Sequence, residues 1–247
     1  MSLRNRVALV TGGTRGIGRG IALKLAGEGA RIAIAYRTNK AAAQTALRHL
    51  QAMGADCVAV ETDVSQSGRA DQLIKTVADR YGRIDVVVNN VGDFRWGTLA
   101  DSSPEEWKSI FDSNVTTVFH MCRAVLPIMR KGRWGRIINL GAVGAERAFG
   151  QAKISAYAAA KAAVVAMSRS LALEEAKNGI TVNVVNPSSI DEKDLTLEEA
   201  RKLRDARYPI GRPPTVDDVA AAVAFFASEE SEYVTGQVVN VSGGWML

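Results

Sequence analysis

Seven short runs rich in valine and isoleucine recur along this chain, and helix-like segments separate each from the next. The runs fall at 6–10, 31–36, 56–60, 84–88, 136–140, 180–185 and 238–241. Most are apolar throughout, without the polar–apolar alternation of a strand that faces water on one side. That pattern needs both faces of the sheet covered. The intervening segments at 16–27, 40–53, 66–81, 104–111, 115–131, 156–177 and 216–228 read as the covering helices. Repeated strand–helix units with fully buried strands predict an α/β fold: a Rossmann-type, doubly wound parallel sheet with helices on both faces. At 247 residues, 47% of them apolar, the chain 1–247 suffices for one such domain. The longest irregular stretch, 187–214, carries a polar helix-like part at 195–206. It is expected to hang beyond the carboxyl end of a strand, where such sheets bind ligands, and to act as a substrate lid.

Several function classes fall away. No apolar run approaches the roughly 20 residues that span a bilayer. Arg4 and Arg6 lead straight into the first strand-like run without a signal-peptide pattern, so a cytoplasmic location without membrane association is expected. Cys57 and Cys122 read as small buried hydrophobes, and His49 and His120 are too isolated for a metal site. Net charge is +5, with a cluster at Arg130, Lys131, Arg133 and Arg136 that reads as a solvated helix end. No basic stripe with stacking aromatics accompanies it, which argues against nucleic acid.

Thr11-Gly12-Gly13-Thr14-Arg15-Gly16-Ile17-Gly18 follows the first strand-like run and opens the first helix. In that context glycine permits a tight turn and close approach of a pyrophosphate, which the helix N-terminus favours. A dinucleotide is the expected cofactor. NAD sites usually carry an acidic residue at the end of the second strand, for the ribose 2′-hydroxyl. Here that strand ends Tyr36-Arg37-Thr38, and Arg37 with Arg15 can clamp a 2′-phosphate instead. The expectation is NADP(H).

Tyr157 and Lys161 lie four residues apart, on one face of a predicted helix. An ammonium beside a phenol favours the phenolate, so the Tyr157 pKa is expected below its usual value of about 10. Such a tyrosine can exchange protons near neutral pH.

With these two motifs together, the chain resembles the short-chain dehydrogenase/reductase family over nearly its whole length. Asp63-Val64 is similar to the family's adenine-contacting pair, and Asn89-Asn90-Val91-Gly92 to its turn after the fourth strand. Asn114 matches the family's catalytic Asn, and Pro187 and Ile190 fall where the chain passes the nicotinamide. Tyr233-Val234-Thr235-Gly236-Gln237 through Gly243-Gly244 is also typical. Gly135–Gly141 and the 157–162 segment look most like bacterial 3-oxoacyl-acyl-carrier-protein reductases. The resemblance implies that Tyr157 is the general acid in reduction. It implies that Lys161 tunes Tyr157 and holds the nicotinamide ribose, and that Asn114 supports a water-mediated proton path. It also implies a homotetramer acting on a small-molecule or acyl-thioester substrate, with Arg133 and Lys177 as candidate docking charges for an acidic carrier.

The chain departs from that pattern at Ala142, where the family's catalytic Ser stands. A methyl group cannot hydrogen-bond a carbonyl, and losing one such donor typically costs about 10²–10³ in rate. Tyr157 follows 15 positions later (157 − 142), a longer interval than in those reductases. Three readings follow. Ser155 or Asn139 replaces the donor; or the substrate differs, as in pteridine reductases, which vary this position; or the protein binds NADP(H) with weak or no turnover. A further departure is Pro187-Ser188-Ser189, where the family prefers Pro-Gly.

Overall fold

The computed structural model describes residues 2–191 and 194–246. Seven strands form one parallel sheet: β1 (Val7–Thr11), β2 (Arg31–Tyr36), β3 (Cys57–Glu61), β4 (Val86–Asn89), β5 (Gly135–Leu140), β6 (Ile180–Pro187) and β7 (Val238–Val241). Their spatial order is β3-β2-β1-β4-β5-β6-β7. The chain moves outward from β1 to β3, then returns to pair β4 on the other side of β1, with Leu9 opposite Val87. That reversal opens a crevice at the carboxyl ends of β1 and β4, the place where such sheets hold ligands.

Alternate residues of each inner strand feed opposite cores, because side chains point alternately to the two faces. Ala8 and Val10 of β1 pack with α1 (Gly16–Gly27), α2 (Lys40–Ala52) and α8 (Val216–Ala227), through Ile21, Leu25, Leu50 and Val223. Val7 and Leu9 face α3 (Arg69–Tyr81), α5 (Thr117–Gly132) and α6 (Ser155–Glu175), through Leu73, Val77, Met121 and Val164. This two-sided burial is why the strands carry no polar alternation.

Element ends shift from the sequence expectation for local reasons. Gly68, at φ 76°, blocks an earlier start, so α3 begins at Arg69 rather than at 66. Among the described residues of 187–214 the helix is only α7 (Leu197–Lys202), between a capping box of Thr196 with Glu199 and an extended Leu203. Between α4 (Pro104–Phe111) and α5 there is no loop; residues Asp112–Thr116 form a π-helical turn that carries one long helix onward. Such insertions frequently occur at functional sites. Arg136 is not part of a solvated helix end. It is buried on β5, with its guanidinium 4.1 Å from the Trp134 ring centroid and donating to Ser228 O. Cys122 is buried as expected, whereas Cys57 is half-exposed on the edge strand β3.

Candidate active site

The turn between β1 and α1 is held from the far side of the crevice. Asn90 donates through Nδ2 to Thr11 O (3.0 Å) and Gly12 O (3.3 Å), and its backbone N–H donates to Thr11 Oγ1 (3.0 Å). Gly12 and Gly16 both have positive φ. At Gly18 a Cβ would overlap Gly12 O and lie 2.6 Å from Asn90 Nδ2, so the close approach of helix to turn demands glycine. The result is a groove of about 630 Å³ that Gly12, Thr14, Arg15, Gly16, Ile17, Gly18, Arg37, Asp63, Asn90, Gly92, Tyr157, Lys161 and Pro187 all line. Thr38, Asn39 and Ser65, which carried no signal of their own in the sequence, line it too. Val64 and Ile190 pack into the two cores and do not line the groove. The polar turn at a helix N-terminus fits the pyrophosphate of a dinucleotide, and Arg15 and Arg37 line the same groove.

Asp63 is fixed by Ser65, whose N–H (3.0 Å) and Oγ (2.6 Å) both donate to its Oδ1. Burial pushes its pKa up, but the Ser65 hydrogen bonds and the nearby Arg37 outweigh this, and the carboxyl stays below its usual range.

At the other end of the groove, Tyr157 and Lys161 project from the first turns of α6. Lys161 is only 5% exposed, and its Nζ donates to Leu140 O at 2.8 Å. Its ammonium lies 5.6 Å from the Tyr157 ring centroid. Burial dominates both groups: it pushes Tyr157 up to about 12 and Lys161 down to about 8. The expected depression of Tyr157 is therefore reversed in this structure, because desolvation of the phenolate outweighs the field of the ammonium. At neutral pH Tyr157 carries its proton, the state required of an acid in reduction.

Asn114 sits in the π-turn, fully buried. Its Nδ2 donates to Asp93 O (2.8 Å) and Ile110 O (3.0 Å), while its Oδ1 has no hydrogen-bond partner. That oxygen abuts Gly92: a Cβ on Gly92 would overlap it and lie 3.4 Å from Lys161 Nζ. Asn114 thus lies close to Gly92 and Lys161 without lining the groove itself.

Ala142 lines a second cavity of about 410 Å³. Its walls include Phe94, Trp96, Phe149 and Trp245, none of which the sequence singled out. Phe94 meets Tyr157 edge to face at 4.9 Å and Trp96 at 5.3 Å. Tyr157, Lys161, Pro187 and Ser188 line both cavities, so the Tyr157 phenol stands where groove and aromatic pocket meet. Neither expected replacement for the missing hydroxyl reaches it. Ser155 is exposed and lines neither cavity; it is the first residue of α6, after Ile154, rather than its cap. Asn139 is spent inside the core, accepting from Asn89 Nδ2 and donating to Ser168 Oγ, each at 2.8 Å.

The buried ammonium predicts a stability trade. A lysine whose folded pKa lies below its unfolded value costs stability while it is protonated in both states. That cost is full below about pH 8 and is relieved as pH rises from about 8 toward the unfolded value. Lys161→Met is expected to raise the melting temperature at pH 7 by at least about 2–4 °C. The gain should shrink at pH 10, as thermal melts at the two pH values would read. A Lys161→Met protein that melts lower at pH 7 would overturn this.

A doubly wound sheet with a glycine turn at its switch point and a Tyr–Lys pair at the groove's end defines a dinucleotide-binding oxidoreductase. The profile described as Enoyl-(Acyl carrier protein) reductase matches residues 12–246. The chain is 39% identical over 243 residues to the 3-oxoacyl-[acyl-carrier-protein] reductase FabG of Staphylococcus aureus, covering 97% of this chain and 98% of that one. It is 40% identical over 250 residues to the FabG of Vibrio cholerae, covering 100% of both. A solved Bacillus thuringiensis structure, described as a 3-oxoacyl-reductase, superposes with a TM-score of 0.90 at 34% identity, covering 98% of each chain. The chain belongs to the short-chain dehydrogenase/reductase family, whose members use a nicotinamide cofactor.

Proposed function

We propose that this protein is an NADP(H)-dependent carbonyl reductase whose substrate is a 3-oxoacyl thioester. The observation that carries the reading is the position of Tyr157 and Lys161, which line the dinucleotide groove and the apolar pocket at once. Bound NADPH supplies the hydride. Tyr157, protonated at neutral pH, gives its proton to the carbonyl oxygen, and the product is the alcohol. Lys161 places a positive charge beside the phenolate left behind, and the unpartnered Asn114 Oδ1 near it suits a water that returns the proton. Gly92, Asn90 and the glycine turn hold the groove open to the cofactor.

The names of the relatives support the thioester. So do two exposed cations that lie together, since Arg133 Nη2 donates to Lys177 O (3.1 Å) and the pair can meet an acidic carrier. Phe119 on α5, Phe225 on α8, Val239 on β7 and the fully exposed Tyr233 leave apolar side chains for a homotetramer to cover. Residues 187–191 and 194–214 serve as the lid, anchored where Tyr208 donates to Ser189 O (2.9 Å); Glu192 and Lys193 lie outside the described residues. No described helix is long and apolar enough to cross a membrane, consistent with a cytoplasmic enzyme.

One observation favours a second reading. Phe94, Trp96, Phe149 and Trp245 ring the pocket, and such rings suit a flat bicyclic substrate, as in a pteridine-type reductase. The test is NADPH oxidation against acetoacetyl thioesters, small ketones, quinones and pterins. Fastest turnover of the thioesters supports the first reading, and of pterins or quinones the second. NADPH binding with no turnover of any would leave a binding protein.

A further inference from the structure

Where the family has a hydroxyl this chain has Ala142, and Ser188 brings a hydroxyl to the lining of the same pocket. We propose that Ser188 donates the hydrogen bond to the substrate carbonyl oxygen, a catalytic role moved from the end of β5 to the end of β6. The inference rests on the carbonyl-reductase reading.

Ser188 is 6% exposed, and its Oγ has no hydrogen-bond partner. A buried hydroxyl without a partner costs stability, and natural structures seldom keep one without use for it. Ser188 lines both cavities, together with Tyr157, Lys161 and Pro187. On this reading the carbonyl oxygen sits at this junction, between the Tyr157 and Ser188 hydroxyls. The position is held firmly: Ser188 N donates to Val241 O (3.1 Å), and Pro187 fixes the preceding backbone. Tyr208 donates its own proton to Ser189 O (2.9 Å), so the one bond it can share with Ser188 is one it accepts from the Ser188 O–H, and that O–H turns to the carbonyl oxygen when substrate is bound. The two departures from the family pattern are complementary: the chain lacks a hydroxyl at Ala142 and carries one in the Pro-Ser step that stands where Pro-Gly is usual. No bond to Ser188 forms or breaks in the reaction. Its O–H is shared with the carbonyl oxygen as negative charge develops there, the hydride comes from NADPH, and the transferred proton comes from Tyr157.

The experiment compares wild type, Ser188→Ala, Ala142→Ser and the double variant, with whichever carbonyl of the panel above is turned over fastest. Ser188→Ala is expected to lower kcat/KM by about 10²-fold. NADPH affinity should change less than about twofold and the melting temperature should hold or rise, because only an unpartnered hydroxyl is lost. Adding Ala142→Ser to Ser188→Ala should restore at least about tenfold, a rescue that a merely structural role for Ser188 would not produce. If Ser188→Ala melts lower, Ser188→Gly supplies the same comparison. A change in kcat/KM below about threefold in Ser188→Ala, with wild type active, would overturn the role of Ser188 and leave the reductase reading standing. Absence of any wild-type turnover would overturn both.

Discussion

Tyr157→Phe is expected to lower kcat by about 10²–10⁴, the range for losing a positioned general acid, while NADPH binds as before. The phenol borders both groove and aromatic pocket and holds a proton at neutral pH: burial pushes it up to about 12. Lys161 borders both cavities too, but its Nζ is tied to Leu140 O and lies 5.6 Å from the Tyr157 ring centroid, where its charge steadies the phenolate. The phenylalanine ring keeps the edge-to-face contact with Phe94, so the packing of the pocket survives. The loss should therefore appear in kcat rather than in the dissociation constant for NADPH, measured by fluorescence titration. Wild-type turnover in Tyr157→Phe would mean that another group delivers the proton.

The parts of this site that were legible in the sequence are those fixed by the backbone. Gly12, Gly16 and Gly18 are required by positive φ or by contacts that leave no room for a Cβ, and such demands leave the same residue type at the same spacing in any chain that makes the turn. The sheet was legible for a similar reason, since two-sided burial excludes polar residues from β1 and β4. The aromatic pocket was not. Phe94, Trp96, Phe149 and Trp245 come from three separate loops, and only tertiary structure brings them to Tyr157. The helical pattern lapses at 112–114, between the segments 104–111 and 115–131, because a helix whose register shifts by one residue in a π-turn loses its periodic signal there. The sign of the Tyr157 shift is not legible in the sequence, because spacing reports that an ammonium is near but not how much water the phenol has lost. Ser188 drew notice only as a departure; that its hydroxyl is buried without a partner is visible only once β6, β7 and Tyr208 are in place.

Arg37→Asp is expected to move the cofactor preference from NADPH toward NADH by about 10³-fold in the ratio of kcat/KM values, since truncating one member of a bonded charge pair alone costs about 2–5 kcal/mol and the new carboxylate adds repulsion. Arg37 follows β2 directly and lies at its carboxyl edge, where the groove passes Thr38 and Asn39. Asn39 is committed to capping α2, its Oδ1 accepting from Ala42 N (2.9 Å), so it does not compete for the ligand. Arg15 lines the same groove from the start of α1, and a 2′-phosphate bound between the two guanidinium groups would be held by charge-assisted hydrogen bonds. The nearby acids are engaged: Asp63 accepts from Ser65, and Glu61 accepts from the Tyr36 hydroxyl at 3.3 Å. An aspartate at position 37 would face a 2′-phosphate with like charge and could accept from a 2′-hydroxyl, so KM for NADPH should rise steeply while KM for NADH falls modestly. At saturating cofactor kcat should hold, because Tyr157 and Lys161 lie at the far end of the groove. A ratio that moves less than about threefold in Arg37→Asp would place the 2′-phosphate elsewhere and remove the main argument for NADP(H).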